Sequence, residues 1–399
     1  MGQASQPTTP PVIKIGEVMK FVLAPDSFKG TMSAATVAAT MSSGVRDVFP
    51  DAECVEVPMA DGGEGTARSL VAALGGEMRS AQVADALGRP RPAHFGWIAA
   101  RMLAVVEIAE AAGIEHLALE ELDPHQATTA GVGQLLNQIL ELSPTSLIVG
   151  LGGSATNDGG WGMAQELGAV AKNSSGDLID SCPLALADAA SLDISNLSKR
   201  WQKITVTLAC DVDNPLTGER GATAVFGPQK GVQPEEIAIF DAALAQWGKL
   251  LDKASGHPVS ETPGAGAAGG LGAAFMALLG AKPQSGVNVV IDAVNLEDQL
   301  AGADFVFTGE GAMDFQTKFG KTPWGVMLTA RKHNIPTIAF TGNLGRNAES
   351  LHENGFAAIV PTVREVGSLT EALEKAQSSL RESVRMTCRI LAAPTFPRD

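Results

Sequence analysis

Short clusters that combine glycine with acidic, hydroxyl and lysine residues recur along this chain, and most of them follow a strand-like run. Their sequences are A-P-D-S-F-K-G (24–30), P-M-A-D-G-G-E-G-T (58–66), G-L-G-G-S-A-T-N-D-G-G (150–160), C-D-V-D-N-P-L-T-G-E-R-G-A (210–222) leading to F-G-P-Q-K-G (226–231), P-G-A-G-A-A-G-G-L-G (263–272) and T-G-E-G-A-M-D-F-Q-T-K-F-G-K-T-P (308–323). Glycines leave backbone N–H groups open to a ligand, whereas carboxylates bind hard cations. Together with lysines, these groups are what the transfer of a phosphoryl group requires. We therefore predict one large site for an anionic ligand, shared by two domains.

The cluster at 58–66 combines two carboxylates with three glycines. Asp61 and Glu64 are interleaved with Gly62, Gly63 and Gly65, so oxygen ligands stand beside unobstructed backbone N–H groups. A hard cation and a polyphosphate together need that mixture. A plain β-turn would explain Asp-Gly-Gly, but it leaves Glu-Gly-Thr unexplained.

The cluster at 150–160 is the strongest local signal. It leaves an apolar strand and holds four polar side chains among its glycines, which is an unfavourable composition for a simple connection because each glycine loses conformational entropy on ordering. Gly152 and Gly153 are candidates for binding a nucleotide, and Ser154, Asn157 and Asp158 for contacts with nucleotide, metal or substrate. A purely structural loop is the alternative.

Polar residues after two other strands extend this set. Asp26 could hold a metal-bound water or a substrate hydroxyl, and Ser27 could hold an anion. Asp211 and Asn214 follow a strand near the middle of the chain, and solvated turns are the alternative explanation for this cluster. Lys230 is an isolated cation of the kind that neutralises a transferring phosphoryl group.

The cluster at 308–323 repeats the pattern near the C-terminal end. Glu310, Gly311 and Asp314 lie just past a strand, with Lys318 and Lys321 close in sequence. Acid, backbone donor and cation therefore recur here, as in the other clusters. We expect Glu310 to contribute to metal binding and Asp314 to orient an attacking hydroxyl.

Patterns for other chemistries are incomplete. Gly150, Gly152 and Ala155 fit a variant dinucleotide fingerprint, but the next strand-like run, ending at Lys172, offers no acid for a ribose. The end of the last cluster imitates a P-loop, yet Phe315 stands where that loop requires glycine. The chain contains no tyrosine, which removes dehydrogenase mechanisms based on a tyrosine acid.

The elements that must position these clusters alternate between short strands and helices, which predicts an α/β protein with mainly parallel strands. The first two strands and the last three are each followed by a helix, as in an open doubly wound sheet, whereas the middle is rich in glycine loops. We therefore predict a disordered tail at 1–18, a discontinuous domain from 19–80 and 285–399, and an inserted α/β domain at 81–284.

Composition narrows the functional classes. A net charge of −15 argues against binding to nucleic acid, because phosphate contacts need a basic surface. The first 18 residues lack the apolar core of a signal peptide or a membrane span, so we expect no membrane association. Four widely spaced cysteines favour a reducing cytoplasm. Whether the protein forms a homodimer is left open.

Taken in order, the clusters resemble those of the bacterial glycerate kinase family, which includes the enzymes of the glucarate and glyoxylate pathways. The resemblance runs from about residue 20 to the C-terminal region and includes A-D-G-G-E-G-T, G-L-G-G-S-A-T-N-D-G-G and G-E-G-A-M-D-F-Q-T. It implies ATP-dependent phosphorylation of D-glycerate, with 2-phospho-D-glycerate as the expected product and the 3-phosphate as the alternative. It also implies a two-domain α/β enzyme with one flavodoxin-like domain and a site in the cleft between domains.

These considerations lead to a working assignment with ATP and Mg²⁺ as cofactors and D-glycerate as the small-molecule substrate. Catalysis is assigned to Asp158, Asp314 and Lys230; nucleotide binding to Gly62, Gly63, Gly65, Gly152, Gly153, Ser154 and Gly311; substrate binding to Asp26, Ser27, Asn157, Asp211 and Asn214; and metal binding to Asp61, Glu64 and Glu310. Two alternatives stay open: a nicotinamide-dependent oxidoreductase of hydroxy acids, and a metabolite-binding protein without catalysis.

Overall fold

A computed structural model describes residues 18–393 of the chain. The strands are β1 Lys20–Leu23, β2 Glu53–Glu56, β3 Glu77–Ala84, β4 Pro90–Ile98, β5 Leu103–Glu107, β6 Ser146–Gly150, β7 Val170–Lys172, β8 Ser191–Asp193, β9 Thr205–Ala209, β10 Lys282–Gln284, β11 Phe305–Met313, β12 Thr337–Leu344 and β13 Phe356–Pro361. The helices are α1 Ala34–Arg46, α2 Thr66–Leu74, α3 Ala109–Ala112, α4 Ala130–Leu140, α5 Trp161–Glu166, α6 Ala222–Phe226, α7 Ile237–Ser255, α8 Leu271–Leu279, α9 Gly286–Ala293, α10 Leu296–Gln299, α11 Thr322–Lys332, α12 Ser350–Glu353, α13 Leu369–Glu374 and α14 Ala376–Leu391. Apart from Val18, the predicted tail at 1–18 lies outside the described residues.

Residue contacts divide the described chain into two compact units. The first unit comprises residues 18–58 and 295–393, and the second comprises residues 59–294. Residues 59–80, which the sequence analysis placed in the first domain, group with the second unit because α2 packs on β4 and β5, and β3 pairs with β4. The compact units thus change over at 58/59 and 294/295. The domain limits at 80 and 285 stay predictions.

The first unit contains an all-parallel sheet with the strand order β13-β12-β11-β1-β2. Counted within the unit, this is the order 2-1-3-4-5 of flavodoxin-type sheets. Phe21, Phe307 and Phe340 form the centre of its core through edge-to-face pairs with centroids 5.3 and 5.2 Å apart. Such pairs stabilise by about 0.5–1.5 kcal/mol beyond the burial of their area. This sheet brings the carboxyl ends of β1 and β11 side by side.

The helix after β1 shows why the first unit folds locally as predicted. The Oγ of Ser33 accepts a hydrogen bond from the N–H of Thr36 at 3.2 Å and so caps the start of α1. Val37, Met41 and Val45 then recur at helical spacing and are fully buried against the sheet core. The cap and the apolar stripe together fix where α1 begins and which face it buries.

The second unit contains a mixed sheet with the order β10-β9-β6-β5-β4-β3. The strands from β10 to β5 pair in parallel, whereas β5–β4 and β4–β3 are antiparallel. The sequence analysis missed the β3–β4 hairpin, because β3 mixes alanine with Arg79 and Gln82 and so lacks a clear apolar alternation. Along the parallel part, Glu107, Gly150 and Ala209 lie at paired register positions, so three strand ends meet at one edge.

The most apolar helix, α8, lies in the core of the second unit, where it packs against α7 and α5. Its residues are almost all buried, which explains the absence of a polar face. At nine residues it is far shorter than the roughly 20 that a membrane span needs. Within residues 18–393, no helix is long and apolar enough to cross a membrane.

Candidate active site

The loop 61–65 lies directly on the strand ends of the second unit. A Cβ atom on Gly150 would approach the carbonyl oxygen of Gly62 to 2.7 Å, and a Cβ on Gly62 would lie 2.6 Å from the Cα of Gly286. Gly62 also has a φ of +88°, in the left-handed region that glycine tolerates best. Close backbone packing therefore requires glycine at positions 62 and 150, whether or not a ligand approaches them.

Two backbone N–H groups predicted to bind phosphate already have acceptors. The N–H of Gly63 donates to Oδ1 of Asp61 at 3.1 Å, and the N–H of Gly65 donates to Oε2 of Glu107 at 2.9 Å. The other oxygen of Glu107 accepts from the N–H of Ala67 at 2.8 Å, so this carboxylate occupies the start of α2. This geometry favours a structural role for Gly63 and Gly65, and their role in nucleotide binding stays a prediction.

Glu107 is a residue that the sequence reasoning missed. It ends the strand L-A-V-V-E, and an acid directly after an apolar run at a strand end is the signal that was available. Burial raises the pKa of the Glu107 carboxyl, and the hydrogen bonds from Ala67 and Gly65 oppose that rise. Glu107 thereby ties α2 to the carboxyl end of β5 and fixes the loop that carries Asp61 and Glu64.

Asp158 is completely buried in the loop 150–160, and both of its oxygens have partners. Oδ2 accepts from the N–H and the Oγ1 of Thr129 at 2.8 and 2.7 Å and from the N–H of Gly162 at 3.1 Å. Oδ1 accepts from the N–H of Gly160 at 3.0 Å. Burial raises the pKa of Asp158, and these donors offset part of the rise. The arrangement favours a positioning role that joins the starts of α4 and α5, whereas its catalytic assignment stays a prediction.

Replacing Asp158 with Asn is expected to lower the free energy of unfolding by about 2–5 kcal/mol, because an amide NH₂ would face N–H donors at a buried site. Urea denaturation followed by far-UV circular dichroism measures this loss. Asp188→Asn is the matched control, since that carboxylate is exposed and has no hydrogen-bond partner among residues 18–393. Equal stability of the two variants would contradict a structural role for Asp158.

Lys230 is buried beneath the loop 150–160, with 2% of its surface exposed. Its Nζ donates to Oγ of Ser154 and to the carbonyl oxygen of Thr156, both at 2.7 Å. Burial lowers the pKa of the Lys230 ammonium from 10.5 to about 7, while the charge of Asp158 opposes this shift. Lys230, from the cluster at 226–231, therefore holds the loop 150–160 at two points.

The lowered pKa predicts how stability depends on pH. Between about pH 7 and pH 10.5 the unfolded chain keeps the Lys230 proton while the folded chain loses it, so stability should rise with pH across this window. The free energy of unfolding of the wild type relative to Lys230→Met is therefore expected to increase from about pH 7 to about pH 9.5. Subtracting the variant's free energy of unfolding from that of the wild type cancels the contribution of other titrating groups. A flat or falling difference would contradict the burial of a titrating ammonium.

Buried polar atoms beside Lys230 lack partners among the described residues. Asn157 donates from Nδ2 to Oγ1 of Thr223 at 2.9 Å, but its Oδ1 and the Oγ1 of Thr156 have no hydrogen-bond partner within residues 18–393. Thr156, Asn157 and Thr223 are all fully buried. Such groups are normally satisfied, so these two atoms are available to water or to a bound molecule.

Gly152 and Gly153 are exposed on the loop, in contrast to the buried residues that follow. The carbonyl of Gly153 accepts from the N–H of Ile114 at 2.8 Å. The N–H groups of Gly152 and Gly153 have no acceptor within the described part of the chain. These two glycines therefore keep free N–H donors on the loop that Lys230 holds, as a phosphate site requires.

Two further predicted residues follow β9. Asp211 is exposed and accepts a hydrogen bond from the N–H of Gly286 at 2.9 Å, which places it beside the loop 61–65. Asn214 donates from Nδ2 to the carbonyl of Arg220 at 2.7 Å and so closes its own turn. Asp211 is therefore the better placed of the two for a ligand, and both assignments stay predictions.

In the first unit, Asp26 and Ser27 lie at the carboxyl end of β1. Oδ1 of Asp26 accepts from the N–H of Ser27, and Oδ2 accepts from the hydroxyl of Thr322 at the start of α11, both at 2.6 Å. Asp26 is only 9% exposed. These two hydrogen bonds join the loop after β1 to the start of α11. The sequence analysis did not assign Thr322 to the site, although Pro323 beside it is of the type that begins a helix.

Glu310 and Gly311 lie within β11, which is longer than the sequence predicted, and Asp314 directly follows this strand. Glu310 is 9% exposed and accepts from Oγ1 of Thr317 at 3.1 Å. Oδ1 of Asp314 accepts from the N–H of Gln316 at 2.7 Å, and the N–H of Asp314 donates to Oγ1 of Thr317. Asp314 thus caps a 3-10 turn, which favours a positioning role, and Thr317 joins the two acids.

The dinucleotide alternative lacks its supporting fold. A dinucleotide fingerprint needs a strand, a helix and a second parallel strand in the same sheet. After β6 and α5, however, the chain enters β7, which pairs antiparallel with β8 in a separate two-stranded ribbon. The glycines of the loop 150–160 therefore do not open such a unit.

Comparison with known proteins identifies the family. The sequence profile described as Glycerate kinase family matches residues 21–392. The chain belongs to the glycerate kinase family. This confirms the resemblance drawn from the motifs, and the α/β class is confirmed by a crystal structure of a Salmonella typhimurium LT2 protein provisionally named glycerate kinase 2. The two share 40% identity and a TM-score of 0.87 over 94% of this chain and 99% of that one.

Two family members illustrate the similarity along the sequence. The glycerate kinase of Haemophilus influenzae is 40% identical over 374 residues, which cover 94% of this chain and 99% of the relative. The glycerate 2-kinase of Escherichia coli is 41% identical over 374 residues, which cover 94% and 98%. The similarity therefore spans both units and every motif cluster described above.

Proposed function

We propose that this chain is a glycerate kinase that transfers the γ-phosphate of ATP to the 2-hydroxyl of D-glycerate, giving 2-phospho-D-glycerate and ADP. The observation that carries the proposal is the loop 150–160 in a member of the glycerate kinase family. The backbone N–H groups of Gly152 and Gly153 have no acceptor within residues 18–393, and Lys230 holds the same loop through its hydrogen bonds to Ser154 and Thr156. The 2-hydroxyl is supported by similarity to the Escherichia coli glycerate 2-kinase.

In this proposal the loop 150–160 binds phosphate oxygens, and the surrounding residues hold it in place. Gly152 and Gly153 donate their N–H groups, and Lys230 in its protonated form adds positive charge to the same loop. Asp158 fixes the end of the loop by accepting hydrogen bonds from Thr129, just before α4, and from Gly160, just before α5. Because phosphoryl transfer depends mainly on positioning and on stabilising charge, a fixed loop of this type contributes directly to the rate.

For the acceptor, we assign Asn157 and Asp211 to D-glycerate. Asn157 contributes an amide whose Oδ1 has no partner within residues 18–393, and Asp211 presents an exposed carboxylate at the end of β9. Amide and carboxylate oxygens accept hydrogen bonds from hydroxyl groups, which D-glycerate has at two positions. Asp211 would orient the attacking hydroxyl without acting as a strong base.

The residues present suit Mg²⁺ chemically. Asp61, Glu64 and Glu310 offer carboxylate oxygens, the ligand type that Mg²⁺ prefers. Within residues 18–393, no three His, Cys, Asp or Glu side chains are grouped to hold a metal by themselves. Mg²⁺ usually keeps several waters and binds through one or two carboxylates together with phosphates, so it does not need a group of three protein ligands. When bound, Mg²⁺ neutralises charge on the phosphates.

We also place the protein in the cytoplasm. Cys54, Cys182, Cys210 and Cys388 are all free thiols. Free thiols are maintained in reducing compartments, where disulfides are rare. Burial raises the pKa of Cys54 and Cys210 and raises that of Cys388 to about 12, so these three thiols resist oxidation.

The test is phosphorus and carbon NMR of the product formed from ATP, Mg²⁺ and D-glycerate by the purified protein. Coupling of the phosphorus to C2 is the expected result, together with ADP release that depends on glycerate. A phosphate on C3 would overturn the position, and the absence of glycerate-dependent ADP release would overturn the kinase. Incubation with NADH and hydroxypyruvate checks the oxidoreductase, and no loss of nicotinamide absorbance is expected.

A further inference from the structure

The first unit contains a groove of about 1040 Å³ along the carboxyl edge of its parallel sheet. Lys29 after β1, Gly311 in β11 and Asn343 in β12 form one part of its wall. Val363, Val366 and Leu369, which follow β13, form another part. Ligand sites for small molecules typically have volumes of roughly 300–1,000 Å³, so this groove has room for a nucleotide.

The groove includes the topological switch point of the sheet. In the order β13-β12-β11-β1-β2, the chain runs outward in opposite directions from β1 and β11. Ligands of open α/β sheets bind outside the carboxyl ends of the strands at this point. Lys29 and Gly311 flank it, and a Cβ on Gly311 would lie only 3.5 Å from the backbone N of Lys29.

One part of the groove presents apolar side chains to solvent. Val366 is fully exposed and Leu369 is 75% exposed, beside the half-exposed Val363. Isolated exposed apolar residues are ordinary, but three around one groove at a sheet edge are typical of a ligand site. The lining of the groove also includes hydrogen-bonding side chains, those of Asn343, Thr362 and Ser368.

Two charged groups of the groove, Lys29 and Glu371, have no oppositely charged partner among the residues that line it. Lys375 pairs with Glu365 at 2.9 Å, and Arg364 lies 3.7 Å from Glu382. The carboxylate of Glu371 accepts from both the N–H and the hydroxyl of Ser368. Lys29, in contrast, has no carboxylate partner within the described chain. An anionic part of a ligand therefore fits beside Lys29 and Gly311, and an apolar part fits beside Val363, Val366 and Leu369.

We propose that this groove binds the adenosine part of ATP, with the base against Val363, Val366 and Leu369 and the first phosphate towards Lys29 and Gly311. The proposal rests on the proposed function, because a kinase needs a nucleotide with both an apolar base and a charged tail. It adds to the earlier assignment, in which Gly311 was the only residue of the first unit given to the nucleotide.

The test compares two double variants, each of which replaces two exposed apolar residues with serine. Val366→Ser with Leu369→Ser removes apolar contacts in the groove, whereas Met386→Ser with Ile390→Ser removes exposed apolar residues of α14 that do not line it. Isothermal titration calorimetry with ADP is expected to show binding weakened about ten-fold or more by the first change and unaltered by the second, since ten-fold corresponds to one lost apolar side-chain contact. Circular dichroism melting confirms that both variants fold.

A third variant tests the orientation of the nucleotide. Lys29→Met is expected to weaken binding of ADP but not of adenosine, whereas the groove double variant weakens both. Unchanged ADP binding in a folded groove variant would overturn the inference, as would the absence of ADP binding by the wild type. If the groove variant loses ADP binding while the wild type fails to phosphorylate D-glycerate, the inference stands and the proposed function falls.

Discussion

Lys230→Met is expected to lower kcat for glycerate phosphorylation by about 10²–10³-fold at saturating ATP, the range measured when one preorganised electrostatic donor is removed. The variant loses the hydrogen bonds from Nζ to Ser154 and to Thr156, both 2.7 Å long. The carbonyl of Thr156 would then be buried without this donor, and the loop with Gly152 and Gly153 would lose both its anchor and the nearby charge. Initial rates of ADP release at saturating substrates measure the effect.

Two further variants separate the role of Lys230 from a general loss of structure. Lys253→Met is the matched control, because Lys253 is exposed on α7, and its kcat should equal that of the wild type. Lys230→Gln keeps an N–H donor without the charge and should recover part of the activity lost in Lys230→Met. A folded Lys230→Met protein with wild-type kcat would remove Lys230 from the mechanism.

Asp61→Asn is expected to lower kcat by about 10²-fold or more and to raise the Mg²⁺ concentration needed for half-maximal rate, because a neutral amide is a weaker ligand for a hard cation. The fold should persist, since an amide oxygen can still accept from the N–H of Gly63, as Oδ1 of Asp61 does at 3.1 Å. Rates measured over a series of Mg²⁺ concentrations test both parts.

Asp213→Asn is the control for this prediction. Asp213 is an exposed acid in the turn after β9 and pairs with Arg220 at 2.8 Å, so its replacement should change neither kcat nor the Mg²⁺ dependence. An unchanged Mg²⁺ dependence in Asp61→Asn, with kcat also preserved, would show that Asp61 does not bind the metal.

The sequence predicted local features well where a short stretch carries its own signal. The apolar strand that was expected directly before the cluster at 150–160, for example, is β6. The helix expected after the first strand is α1, in which Ser33 caps the start and an apolar stripe at helical spacing is buried. The motif clusters also identified the family, because their order along the chain needs no three-dimensional information.

Features that depend on distant partners were not readable in this way. Whether residues 59–80 belong to one unit or the other depends on which sheet α2 covers, and β3 becomes a strand through pairing with β4. Likewise, Asp158 and Gly65 are typical ligand residues in the sequence, yet Thr129 and Glu107 occupy them. A side chain's availability is set by its neighbours in space, which the local pattern does not contain.

The sequence by itself therefore determined the α/β class, the family and the set of polar residues from which a site can be built, because these follow from periodicity and from residue type. The tertiary structure alone decided which of those groups are free: the N–H groups of Gly152 and Gly153 and the side chain of Lys29 have no partners within residues 18–393, whereas Asp158 has four donors. The physical reason is that a hydrogen bond or an ion pair forms only between groups that folding brings within about 3–4 Å.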